Sequence, residues 1–168
     1  IMNIDVLSFA RLAYRVFEET GTKQMQVLDD EGKNLILRKI AGDYENKLTV
    51  LKGNIKKLGY ISEVKSVISE FTQYDIGEEE MDEMLDHLDE DSRLYYKLKD
   101  IRLLYEGFQD YLRERYITKE ELLDVLNSQV KESELLKNSV VVLDGFTGFT
   151  PVQNRLILEL MRCCKEVW

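Results

Sequence analysis

The chain has 168 residues, with 32 Asp and Glu against 23 Lys and Arg, a net charge of −9, and 44% apolar residues. That balance suits a soluble domain with its own core and argues against a strong non-specific grip on nucleic acid by this chain alone. No apolar run approaches membrane-spanning length and no leader is visible. Two adjacent cysteines, Cys163 and Cys164, make neither a disulfide framework nor a metal knuckle, so a reducing, cytoplasmic setting is expected.

Asn3–Leu7 alternates weakly and is expected as a short strand, with Ile4 and Val6 on one side. Ser8 reads as the N-cap of an amphipathic helix carrying Phe9, Leu12, Ala13, Val16 and Phe17, which Gly21 ends. Asp29 opens a second helix through Leu35, Ile36, Lys39 and Ile40. The stretch from Gly42 to Gly59 is read as helical, with Leu48, Leu51, Ile55 and Leu58 inward. Ser62 or the turn before it starts a helix with Val64, Val67, Ile68 and Phe71 inward, and Gly77 breaks the pattern.

Gly77–Asp91 is strongly acidic, with an apolar seam of Met81, Met84, Leu85 and Leu88. It lacks the spacing of a calcium loop, and its acids read as a solvated helix face. His87, the only histidine, reads as a surface residue rather than a metal ligand. Ser92 caps the longest helix, expected to run to about Tyr116. Its tyrosines fit core and rim packing better than a base-stacking platform, because acids interleave with them. Thr118 with Glu121 forms a capping box for a helix to about Lys131.

Val140–Pro151 then reads Val-Val-Val-Leu-Asp-Gly-Phe-Thr-Gly-Phe-Thr-Pro. The apolar run suits a strand buried on both faces, with Asp144 at its carboxyl end, where open α/β sheets bind ligands. Gly145 and Gly148 loosen the loop. Pro151 starts a helix through Val152, Leu156, Leu160 and Cys164. A parallel strand needs a partner, and Asn3–Leu7 is the expected one. Met2 is not first, and the terminal Glu166-Val167-Trp168 reads as the entry to another strand; a piece of a larger protein is expected. The predicted architecture is mainly α: a helical insertion over residues 22–138 on a two-stranded parallel β/α remnant formed by residues 1–21 and 139–168.

This arrangement resembles the superfamily 1 (UvrD/RecB-like) helicase core and, within it, the B subunits of AddAB/RexAB-type ATP-dependent helicase–nucleases. The opening Ile-Asp-Val-Leu-Ser-Phe-Ala-Arg-Leu-Ala is similar to the strand-to-helix step of helicase motif Ia, and the closing segment to motif II. The resemblance implies a RecA-like P-loop core (1A) interrupted by a 1B-like insertion. It places Ser8, Phe9 and Arg11 beside single-stranded DNA, and Asp144 and Gln153 at a vestigial Mg2+–nucleotide site.

Gly145 stands where motif II carries its glutamate, the group that orients and deprotonates the attacking water. The phosphate-cradling Gly-x-x-x-x-Gly-Lys-Ser/Thr loop is absent from these residues. The expectation is therefore no catalytic residue, no metal and no ATP hydrolysis in this chain. The implied parent works with Mg2+, ATP and an iron–sulfur cluster beside an A-type motor and nuclease subunit, processing double-strand breaks for recombinational repair. Two other readings stay open: a helical adaptor binding a protein partner, and an active P-loop ATPase completed outside this sequence, against which Gly145 speaks. Asp144 also fits a turn or cap acid, Gln153 a solvent-facing position, and Arg11 and Arg15 surface salt bridges.

Overall fold

A helix start leaves backbone N–H groups without partners, and here side-chain oxygens supply them. Ser8 accepts from Arg11 N–H at 3.3 Å, Asp29 from Gly32 N–H at 2.7 Å and Ser92 from Tyr95 N–H at 3.1 Å. These caps open α1 (Phe9–Thr20), α2 (Asp30–Asp43) and α5 (Arg93–Leu112) at the expected positions. Gly21, with φ of 67°, closes α1 in the left-handed conformation that glycine adopts without penalty. The computed structural model describes residues 4–22, 26–55, 57–113 and 115–168.

The chain divides into two units, Ile1–Val27 with Thr118–Trp168, and Leu28–Ile117. Short extended segments, β1 (Gln26–Val27) and β2 (Tyr116–Ile117), lie where the chain passes between them.

The unit Leu28–Ile117 contains α2, α3 (Leu58–Gln73), α4 (Glu78–Asp86) and α5. α2 packs against both α3 and α5, and α4 against α5. Leu37, Ile40, Leu51, Ile55, Ile61 and Leu104 are among its core residues. Gly107 lets α5 approach α2 closely: a β-carbon there would lie 2.9 Å from Ile40 and 2.8 Å from the Tyr44 ring.

Residues 44–55 are turns and bends rather than the expected helix, and α3 starts at Leu58, before Ser62. Asp100, buried on α5, explains the turns. Its carboxylate accepts from the N–H groups of Thr49 (2.9 and 3.0 Å), Val50 (2.8 Å) and Leu51 (2.8 Å). Three consecutive N–H groups converging on one carboxylate are incompatible with helical bonding to the preceding turn. Leu48, Leu51 and Ile55 still point inward, as expected; the Leu58 side chain lies outside the described residues. α5 stops at Leu112, short of Tyr116.

In the other unit, α1, α6 (Glu121–Gln129) and α8 (Pro151–Cys163) form the body, α6 packing against both α1 and α8. The capping box at the start of α6 is present: Thr118 N–H donates to Glu121 at 2.7 Å, and Glu121 N–H to Thr118 Oγ1 at 3.3 Å. Ala13, Val16, Leu122, Leu126, Leu156 and Leu160 are buried. A short helix, α7 (Glu134–Lys137), is tied to α1 by Glu19, which accepts from the Ser133 hydroxyl and from Leu135 N–H at 2.8 Å.

β3 (Val140–Val141) pairs in parallel with β4 (Glu166–Val167), Val140 opposite Glu166 and Val141 opposite Val167. α8 is the crossover between them, as parallel pairing requires. Trp168 N–H donates to Val141 C=O at 2.9 Å, and Leu143 N–H to Trp168 C=O at 2.8 Å. This corrects the expected pairing: the partner of β3 is the closing segment, not Asn3–Leu7. Residues 4–7 carry no strand, Ile4 and Val6 are exposed, and Asn3 lies outside the described residues. Nor is the strand buried on both faces. With one neighbouring strand and one covered face, Val141 and Leu143 are half-buried while Val140 and Val142 are 54% and 67% exposed. Among the described residues the sheet amounts to this one parallel β–α–β step beside the short extended segments.

Removing the acceptor at position 100 strands three backbone donors. Asp100→Ala should lower the unfolding free energy by about 2–4 kcal/mol, read from urea denaturation; a loss under about 0.5 kcal/mol would show that water replaces the carboxylate. Glu19 gives a pH dependence. The Ser133 hydroxyl holds its carboxyl below the ordinary value of 4.5; burial, the next largest effect, opposes it, and backbone N–H groups add to the lowering. A depressed carboxyl stabilises fully above its unfolded pKa and loses that contribution as pH falls through the lower folded value. Glu19→Gln should therefore flatten part of the acid limb of a stability–pH curve below about pH 4.5; an unchanged limb would contradict this.

Candidate functional site

The segment from Val142 to Thr150 joins β3 to α8 and meets the start of α1. Leu143 makes the last bond of the parallel ladder, so Asp144 follows where the strand ends, with its side chain exposed. Gly145 turns the chain with φ of +78°, a conformation in which an L side chain is strained. No atom lies within 4 Å of a β-carbon built there, so the constraint is backbone conformation, not space.

Phe146 and Phe149 flank Gly148, their ring centroids 5.0 Å apart, and Phe146 also sits 5.3 Å from Phe9 at the first position of α1. The rings are tilted by 39° and 36°, within the offset geometries that aromatic pairs favour. Phe146 remains 45% exposed, so this cluster presents an aromatic edge to solvent beside Ser8 and the exposed Arg11. Ser8 Oγ is occupied in capping α1. Arg15 pairs with Asp5 at 2.8 Å, each about half exposed.

Gln153 lies three residues beyond the loop's end. Thr150 is the N-cap of α8 and Pro151 its first residue. Thr150 N–H donates to Gln153 Oε1 at 3.0 Å, and Gln153 N–H to Thr150 Oγ1 at 3.4 Å. The Gln153 amide is thus turned back onto the loop's own backbone, a capping box that stiffens the entry to α8.

The structure therefore joins Phe9 to the Asp144–Thr150 loop through aromatic contact, leaves Ser8 and Arg11 on the same helix start, and commits the Gln153 Oε1 to a cap. Phe146 and Phe149 are the members that sequence reasoning passed over. Their signal was available: two phenylalanines three residues apart around a glycine, immediately after an acid-tipped strand. Asp144 supplies one exposed carboxylate, Gln153 Oε1 is already in use as a cap, and no phosphate-cradling Gly-x-x-x-x-Gly-Lys-Ser/Thr loop occurs among the 168 residues, so these residues by themselves do not make up a Mg2+–nucleotide centre. Among the described residues no three His, Cys, Asp or Glu converge as a metal site, and no helix is long and apolar enough to cross a membrane. His87 is exposed and donates from Nδ1 to Glu83 C=O at 2.7 Å.

Fold and site together define a mainly helical chain of two units, one of which carries a parallel β–α–β step with an acid-tipped glycine loop. The family model described as ADDB, N-terminal, matches residues 1–168, and the chain belongs to that family. Among curated relatives, the B subunit of the ATP-dependent helicase/deoxyribonuclease of Lachnoclostridium phytofermentans is 42% identical over 167 residues, covering 99% of this chain and 15% of the relative. The protein of the same name from Clostridium kluyveri is 39% identical over 160 residues, 95% of this chain and 14% of the relative, and that from Alkaliphilus oremlandii is 37% identical over 167 residues. The chain thus spans about 15% of the length of these relatives.

Gly145→Ala should destabilise by about 1 kcal/mol, because the left-handed conformation costs an L residue that much, whereas Gly148→Ala, with no positive φ and open space, should cost less than about 0.5 kcal/mol. Equal thermal shifts for the two variants would remove the backbone account of Gly145.

Proposed function

We propose that this chain is the N-terminal part of the B subunit of a helicase–nuclease that processes DNA double-strand breaks for recombinational repair in the cytoplasm. In this reading it is a degenerate 1A helicase module with a 1B-like helical insertion, and it guides a DNA strand without hydrolysing ATP. The partner is an A-type motor and nuclease subunit; Mg2+, ATP and an iron–sulfur cluster belong to the whole assembly. The observation that carries the reading is the contact of Phe9 with Phe146 at 5.3 Å, which brings the motif Ia-like helix start and the motif II-like loop to one aromatic edge. Such an edge stacks bases without needing their sequence, and Arg11 beside it offers a phosphate contact. Gly145 supports the non-hydrolytic part: it has no side chain to act as a base, and its φ of +78° disfavours replacing it by one that has.

The test is fluorescence anisotropy with labelled oligothymidylate, run beside an ATPase assay. Binding should be weak at low ionic strength, lost by about 200 mM salt, and reduced severalfold in the Phe9→Ala/Arg11→Ala double variant. Mg2+-dependent ATP turnover should be absent. Salt-resistant binding indifferent to the double variant would overturn the guiding role. Turnover abolished by Asp144→Ala would overturn the non-hydrolytic one.

A further inference from the structure

In the unit Leu28–Ile117, α4 divides its acids between two faces. Glu78 and Asp82, one turn apart, both pair with Arg102 of α5, at 3.1 and 3.0 Å, and Arg102 also takes Glu106 at 3.0 Å. Met81 is fully buried between the faces. The remaining side, carrying Glu80, Glu83, Met84 and His87, lines a groove of about 750 Å3. The opposite walls come from α3 and α5, where Val67, Phe71, Leu98 and Ile101 supply an apolar floor. A smaller hollow of about 440 Å3, sharing Val67, Lys97 and Ile101, continues it toward the start of α3.

Along α3 the two hollows run from Tyr60 to Tyr74, a rise of roughly 20 Å at 1.5 Å per residue, the length of about four helical turns. Tyr74, Met84 and Leu94 stand at the groove 53%, 39% and 58% exposed. Large apolar side chains held open along a groove are the usual receptor for the apolar face of a helix, taken at i, i+3, i+4 and i+7 spacing. Charge selects the kind of helix. The run from Glu78 to Asp91 contains nine acids and no lysine or arginine. Arg102 neutralises only the side of α4 turned toward α5, leaving Glu83 at the groove, with Glu63, Asp75 and Glu80, whose Oε2 accepts from Gly77 N–H at 2.8 Å, also lining the hollows. Lys97 is the one lysine or arginine among the described lining residues.

We infer that the groove between α3, α4 and α5 docks an amphipathic helix of a partner polypeptide, apolar on the inserted face and lysine- or arginine-rich on its flanks. The apolar floor supplies affinity, and the acids of α4 set orientation and exclude anionic helices.

The test uses the 168-residue chain and two labelled synthetic peptides of about 18 residues, long enough to form a helix, with leucines at helical spacing and either lysine or glutamate elsewhere. The lysine peptide should bind and the glutamate peptide should not. Leu94→Glu and Glu83→Lys should each weaken the lysine peptide by about tenfold or more, whereas Glu18→Lys on α1, with the same change in net charge as Glu83→Lys, should leave affinity within about twofold. Circular dichroism establishes that each variant is folded, and the milder Tyr74→Ala, expected to weaken binding severalfold, reads the same contact if Leu94→Glu is not. Three results would overturn the inference: equal binding of both peptides, equal effects of Glu18→Lys and Glu83→Lys, or sedimentation showing a homodimer that Leu94→Glu dissociates, which would assign the groove to a second copy.

Discussion

Where this backbone leaves regular structure, its N–H groups must still find acceptors, and side-chain oxygens provide them. Asp100 is the heaviest case: a buried carboxylate on α5 accepting from three consecutive residues 49 to 51 positions away. The bonds set the path of residues 44–55, and that path delivers Leu48, Leu51 and Ile55 to the core. The same device recurs at smaller scale in Ser8, Asp29, Ser92, the Thr118–Glu121 and Thr150–Gln153 boxes, and Glu19 over α7. Hydrogen bonds to a carboxylate are stronger than those to a hydroxyl, and at Asp100 one carboxylate takes three consecutive N–H groups, where each smaller cap takes one or two.

That contrast explains what the sequence disclosed. Caps act within three residues, so their chemistry is written locally, and α1, α2, α5 and α8 begin at or within a residue of where Ser8, Asp29, Ser92 and Pro151 indicate, with α6 opening inside the Thr118–Glu121 box. The grip of Asp100 acts across about 50 residues. Nothing near Thr49 announces it, and the apolar spacing of Leu48, Leu51 and Ile55 imitates a helix because buried turns also face inward at intervals of three and four. Strand pairing failed for the same reason. Val140–Leu143 has no local feature that names its partner, and Asn3–Leu7 was the apolar candidate farthest away in the chain. The structure instead closes the shorter loop, through α8 to β4, which costs less chain entropy.

The candidate site was legible as a motif and less so as an arrangement. Asp144 at a strand end and Ser8 at a helix start follow from local pattern. The meeting of Phe9 with Phe146 does not, because it depends on how α1 and the β3–α8 loop fold together. Gly145 has a second meaning in the fold. By its resemblance to motif II it stands where a glutamate is expected; in the structure it occupies a left-handed turn, a conformation that disfavours any side chain there. Gln153 shows the opposite case. A polar side chain at a motif position already caps Thr150 through its Oε1, so its presence alone is no argument for a ligand.

By composition the acidic run of α4 is one feature, a stretch of like charge that reads as solvated surface. Helical geometry separates it, because residues four apart share a face while residues two apart do not. Glu78 and Asp82 therefore converge on Arg102 and help fasten α4 to α5. Glu83 and Glu80, the latter also capping Gly77 N–H, border a lined hollow instead, beside Met84. Had the acids been there only for solubility, they would have served equally well on the exposed faces of α2 or α3. Their concentration on the helix that borders the larger apolar hollow links charge and shape at one surface, and such a link is how a receptor distinguishes one helix from another.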